Sequence, residues 1–163
     1  VVANIPYYIT SAVLRHVLKA AKAPSRLVLT VQKEVGFRIC SEAGKMSVLS
    51  ISVQLFGKPS VVGQIPAGAF YPSPKVDSVI VKVDLFPTPQ ISSDDMDQFF
   101  LLVRAGFSQK RKTINNALSA GMRWDKDKTG IILRQAGIDT NRRAQTLEIC
   151  EWKSVLEVAK HIS

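Results

Sequence analysis

The pentapeptide Phe86-Pro87-Thr88-Pro89-Gln90 most restricts what this 163-residue chain can become, because the sequence on its two sides carries different periodicities. Two prolines this close remove backbone donors that a helix interior or a central strand would need, so the segment reads as a linker. Ahead of it lie short β-branched runs, Arg26 to Gln32 (RLVLTVQ) and Ser78 to Leu85 (SVIVKVDL), which predict strands. Behind it, Ser92 or Ser93 followed by Asp94 and Asp95 marks a helix start, and apolar residues recur at helical spacing to the end. Helices are expected over about 95–107, 111–120, 126–136 and 147–161, which makes a small all-helical domain.

The part before the linker alternates between element types. The chain opens on Val rather than Met, inside the apolar run Val1-Val2-Ala3, and reads as a fragment of a longer protein. Thr10 or Ser11 can cap a helix to about Ala21, with Val13, Leu14, Val17 and Leu18 on one face, and Pro24 ends it. RLVLTVQ predicts a central strand of a parallel sheet, followed by a helix over 33–41. Residues 46–56 are ambiguous: 50–55 alternate like a strand, while the length also suits a helix. Strands are expected at 60–65 and 78–85, joined by a Pro- and Gly-rich loop over 66–74. Strand, helix, strand, helix and a closing strand pair indicate an α/β sheet.

A formal charge of +9 and a pI near 9.8 favour an anionic partner, most economically nucleic acid, although charge alone equally suits a generic basic protein. Its distribution is more telling. Between Arg104 and Arg143 there are ten Lys and Arg against three Asp. No apolar run approaches the length needed to span a bilayer, so no membrane partner is expected. Cys40 and Cys150 are isolated and lack metal-ligand spacing, which suits a reducing cytoplasm and predicts no metal site. His16 and His161 lie on helical patterns without a partner in sequence and read as ordinary surface or core residues.

Asn4-Ile5-Pro6-Tyr7, leaving an apolar run, resembles the catalytic loop of methyltransferases that act on the exocyclic amino group of adenine. That nitrogen is a poor nucleophile because its lone pair is delocalised into the ring. An enzyme must hold both N–H groups with acceptors and leave the lone pair free to attack. The Asn4 side-chain oxygen and a backbone carbonyl beside Pro6 are the two acceptors the resemblance implies, with Pro6 stiffening the backbone. Tyr7 offers a flat face to an unstacked base. Alone, the tetrapeptide also suits a strand-ending turn.

Three further stretches, collinear with it, resemble the ribosomal RNA adenine dimethyltransferase family of the KsgA/Dim type: Val31-Gln32-Lys33-Glu34-Val35; Phe70-Tyr71-Pro72-Ser73-Pro74-Lys75-Val76-Asp77-Ser78; and Phe107-Ser108-Gln109-Lys110-Arg111-Lys112-Thr113-Ile114. Ala136-Gly137-Ile138-Asp139 with Arg142-Arg143-Ala144 is similar to the family's C-terminal domain. The resemblance implies an α/β fold: the C-terminal half of a Rossmann-like methyltransferase sheet over 1–88, then a helical RNA-binding domain over 89–163. It favours the helix at 46–56. It implies dimethylation of two adjacent adenosines in small-subunit ribosomal RNA, S-adenosylmethionine as methyl donor, no metal, and the cytoplasmic small ribosomal subunit as partner. Asn4, Pro6, Tyr7 and Phe70 are the implied catalytic residues, Tyr7 and Phe70 clamping the base. Lys75, Lys110, Arg111, Lys112, Arg142 and Arg143 are the implied RNA contacts, the basic run meeting phosphate near a helix N-terminus. Asp77 is expected to bond local backbone and anchor its turn.

The sequence departs from the family where the donor should bind. Its glycines never fall in a G-x-G pattern, and no strand-ending acid precedes Asn4, which is the only residue assignable to the donor. The loop over 41–44 is also shorter than the family's. The chain is therefore expected to bind donor weakly or not at all. Two other readings stay open: a large-subunit adenine dimethyltransferase of the macrolide-resistance kind, and a ribosome-assembly factor that binds RNA without catalysis.

Overall fold

A computed structural model describes residues 1–4, 6, 10–18 and 24–162. The described residues form two compact units, residues 1–41 with 49–90, and residues 42–48 with 91–163.

The first unit is a four-stranded sheet in the order β1-β2-β4-β3, with β1 at Val2–Asn4, β2 at Arg26–Gln32, β3 at Gly57–Ile65 and β4 at Ser78–Leu85. Helices α1 (Thr10–Leu18), α2 (Lys33–Ile39) and α3 (Val48–Gln54) connect the strands. β2 is central, as its sequence predicts, but the sheet around it is mixed: β1 joins it in parallel and β4 antiparallel. The parallel pairing expected of β2 holds on its β1 side only, because a β-branched run reports burial and carries no signal of strand direction. Leu27, Leu29 and Val31 are buried, and Val79, Val81 and Val83 continue that apolar layer on β4. Gly36 lets α2 lie close on it, since a Cβ there would run into Val79 and sit 3.1 Å from Val81. Residues 48–54 are helical, with Ser50, Ile51 and Val53 buried, so the alternation over 50–55 is not that of a strand.

The outer strand β3 carries Pro59 and a bulge between Val61 and Gly63, both of which interrupt a regular edge. Its start is at Gly57 rather than residue 60, because Gly57 fits where a Cβ would press within 2.6 Å of the Asp84 carbonyl oxygen.

The second unit contains α4 (Met96–Phe107), α5 (Ile114–Met122), α6 (Lys126–Gln135) and α7 (Ile149–Ile162). Thr113 caps α5, accepting from the Asn116 N–H, and Asp125 caps α6, accepting from the Asp127 and Lys128 N–H groups. Arg123 closes α5 in the left-handed conformation (φ 56°), and Gly137 does so after α6 (φ 76°). Phe99, Leu102, Leu118, Leu133, Trp152 and Leu156 are fully buried, and Phe107 stacks on Trp152 at 5.9 Å. Lys160 near the end of α7 pairs with Asp95 at the start of α4, 2.9 Å apart.

A single cut after residue 88 would leave residues 42–48 with the sheet, whereas they pack with the helices. The Gly44 and Met46 N–H groups both donate to the Gln145 carbonyl, at 2.9 and 3.1 Å, and the Met46 side chain is buried. That excursion has no local sequence signature, because its partner lies about a hundred residues on.

Candidate functional site

Strand register brings the motif residues to one end of the sheet. β1 runs parallel to β2, so Asn4, opposite Thr30, lies at the end where β2 finishes at Gln32. Gln32 pairs with Ser78, the first residue of β4, and Ser78 pairs with Ile65, the last of β3. The loop over 66–77 therefore projects from the end at which the chain leaves Asn4. With neighbouring strands about 4.8 Å apart, β1 and β4 are separated by about 10 Å, the width of a base and its sugar. Asn4 and Pro6 are both exposed there. Tyr7, the other expected aromatic face, lies outside the described residues.

The 66–77 loop is tied down at several points. Asp77 Oδ1 accepts from the Ala67 N–H at 3.1 Å, as an Asp at a strand start is expected to do. Its carbonyl accepts from the Lys33 N–H at 3.0 Å, extending the β2–β4 ladder, and its other carboxylate oxygen is 3.6 Å from Lys33 Nζ. The Phe70 N–H donates to the Ala67 carbonyl, and Ser73 Oγ donates to the same carbonyl at 2.9 Å. Phe70 is thus half-buried on a held backbone in an extended conformation (φ −110°, ψ 152°). Lys75 is exposed. Lys33, the first residue of α2, thus ties the start of that helix to the end of the loop.

In the helical unit, Lys110, Arg111 and Lys112 are all exposed, in a turn where the Lys112 N–H donates to the Gln109 carbonyl. Arg142 and Arg143 sit on a loop stitched to the start of α5: the Ile114 N–H donates to the Arg142 carbonyl at 2.7 Å, and the Asn115 N–H to the Thr140 carbonyl at 3.5 Å. With Asn116 capped by Thr113, these bonds occupy the first amides of α5. The first amides of α5 are therefore satisfied within the chain. The Lys and Arg side chains remain available.

Arg142 is engaged within the chain. Its guanidinium donates to both carboxylate oxygens of Glu151, through Nη1 to Oε1 and through Nη2 to Oε2, and its Nε and Nη2 reach Thr146 Oγ1 and the Thr146 carbonyl at 3.2 and 2.6 Å. The Arg142 hydrogen bonds hold the Glu151 carboxyl below the usual carboxylate range, and Glu151 in turn raises Arg142. Arg142 is a structural clamp. Arg143 is exposed, and no ion pair engages it among the described residues.

Gly36 and Gly57 fill packing contacts in the sheet, Gly106 and Gly121 fill contacts between helices, and Gly44 and Gly137 supply turns with positive φ. No group of three or more His, Cys, Asp or Glu among the described residues is arranged to hold a metal ion, and no described helix is long and apolar enough to cross a membrane. His16 and His161 are exposed. Cys40 and Cys150 are free, with burial pushing the Cys40 thiol up.

The sequence and the fold are similar to those of known proteins. The sequence model of the ribosomal RNA adenine dimethylase family matches residues 1–155. The protein named ribosomal RNA small subunit methyltransferase A of Dehalococcoides mccartyi (strain CBDB1) is 48% identical over 154 residues, covering 94% of this chain and 53% of that one. The protein of the same name from Moorella thermoacetica is 42% identical over 163 residues, covering 99% of this chain and 56% of that one. The chain thus spans about half the length of the curated relatives it matches. A crystal structure of a dimethyladenosine transferase from Plasmodium falciparum superposes with a TM-score of 0.83 at 27% identity, covering 98% of this chain and 66% of that one. The structure of the 23S rRNA methyltransferase ErmE, at a TM-score of 0.72, 21% identity and coverage of 98% and 64%, shares the fold. A mixed sheet whose Asn-bearing strand end faces a braced Phe-Tyr-Pro loop, joined to a basic helical unit and matched over residues 1–155, identifies this chain as belonging to the ribosomal RNA adenine dimethylase family.

Proposed function

We propose that this chain carries the base-binding loops and the RNA-binding helices of an enzyme that dimethylates the amino groups of two adjacent adenosines in small-subunit ribosomal RNA, in the cytoplasm. The observation that carries this reading is the convergence of Asn4 and the 66–77 loop at one end of the sheet. The Asn4 side-chain oxygen and a carbonyl beside Pro6 accept the two amino N–H bonds of the flipped adenine, directing its lone pair outward. Phe70 and Tyr7 hold the ring between them, which fixes orientation with few torsions left to freeze. S-adenosylmethionine supplies the methyl group when bound. Lys75, Lys110, Arg111, Lys112 and Arg143 meet the RNA backbone.

The test is to incubate the gene product with labelled S-adenosylmethionine and undermethylated small ribosomal subunits, and to map the label by mass spectrometry. Paired dimethyladenosines in the small subunit support the proposal, and Asn4→Ala then lowers turnover about a hundredfold or more while RNA affinity holds. Label in the large subunit points to the resistance type instead. Salt-sensitive binding without label leaves a ribosome-assembly module.

A further inference from the structure

Tyr71 stands apart from the rest of the loop. It is fully exposed, at 103% of the reference surface, and follows Phe70, whose N–H donates to the Ala67 carbonyl, in a loop also tied by Ser73 Oγ to that carbonyl and by the Ala67 N–H to Asp77 Oδ1. An aromatic ring this bare gains nothing from the fold. Phe70 is by contrast half-buried, immediately before Tyr71. Pro72 and Pro74 stiffen the chain beyond it, and the exposed cation of Lys75 follows four residues on. An exposed ring and an exposed cation on one proline-stiffened loop are the combination that single-stranded nucleic acid recognises, because every base has a face to stack and every linkage a phosphate to pair.

We infer that Tyr71 is a stacking platform for a nucleotide neighbouring the target adenosine, with Lys75 on the intervening phosphate. The inference rests on the proposed RNA function. It assigns the residue that splays the single strand and holds the second base off the first. Stacking needs only a π face, so it acts on bases of any type and sets the position of the strand rather than its sequence.

The test titrates the chain with a short single-stranded RNA carrying 2-aminopurine beside an adenosine, following fluorescence quenching and affinity for the unaltered chain, Tyr71→Ala, Tyr71→Leu, Tyr71→Trp and the triple variant Lys110→Ala/Arg111→Ala/Lys112→Ala. Tyr71→Ala is expected to weaken binding about tenfold and to relieve the quenching, with Trp restoring both and Leu neither. Binding by Tyr71→Ala equal to the unaltered chain, while the triple variant weakens, overturns the Tyr71 assignment and leaves RNA recognition standing. Restoration by Leu shows an apolar contact of the kind a protein partner makes, and also overturns it. Absence of binding by every form removes both this inference and the proposed function.

Discussion

Replacing Arg142 by Ala separates a structural arginine from an RNA-binding one. The substitution removes a two-pronged pair with Glu151 and two bonds to Thr146, all charge-assisted. Removing one partner of a fully buried pair costs about 3–5 kcal/mol, but here the side chains keep 31% and 25% of their exposure, so water compensates part of the loss. A loss of about 2 kcal/mol is expected, or a urea midpoint lower by about 1 M if the slope is about 2 kcal/mol per molar. Both tryptophans, Trp124 and Trp152, lie in the helical unit, so their fluorescence reports its unfolding without a contribution from the sheet. Arg143→Ala is expected to do the reverse: no change in that midpoint, and a decrease of about 1 in the slope of log affinity against log salt for RNA. If Arg142→Ala instead flattens the salt dependence and leaves the midpoint unmoved, the clamp assignment is wrong.

Acid should loosen the same clamp. Arg142 keeps the folded Glu151 carboxyl below its ordinary value, so the stabilisation is complete above about pH 4.3, where unfolded Glu is ionised, and is lost as pH falls through the lower folded value. Glu151→Gln should therefore start less stable near neutrality and lose less than the unaltered chain on acidification, read by urea titrations of tryptophan fluorescence; equal acid dependence in the two would refute the linkage. Gly106→Ala puts a Cβ against the Trp152 ring and 3.1 Å from Ile114, so it should destabilise by about 1–3 kcal/mol although helix propensity alone favours Ala by about 1 kcal/mol. Stabilisation in the same assay would show that the helices yield at that contact. Calorimetric titration of this 163-residue chain with S-adenosylmethionine should give weak or no heat, and tight stoichiometric binding would show that these residues complete a donor site after all.

Sequence patterns identified the elements most clearly where local chemistry decides. The runs at Arg26–Gln32 and Ser78–Leu85 are strands over the residues expected, because β-branched stretches bounded by turn residues have few alternatives. The start of α5 was placed three residues early, since Lys and Arg are good helix formers, yet Thr113 holds the boundary with its side-chain cap. At the candidate site, the Asp77 turn anchor was legible from a local habit of Asp near strand starts. The Arg142 clamp was not, because Glu151 lies nine residues away across a loop and a 3-10 turn, at no regular spacing. An Arg-Arg pair in a basic region looks the same whether its first member faces solvent or a carboxylate.

The excursion of residues 42–48 into the helical unit bears on how the protein is made and divided. The chain crosses between units three times, after Ser41, after Val48 and after Gln90, so neither unit is a continuous stretch that emerges from the ribosome at once. Residues 42–48 are synthesised about a hundred residues before the Gln145 carbonyl that receives two of their N–H groups. A truncation beginning at residue 91 would isolate the helices without Gly44 and Met46, and its stability would describe an incomplete unit. For the same reason, recombination at the Pro-rich linker transfers an incomplete helical unit: a functional exchange has to carry the small inner segment along with the large outer one.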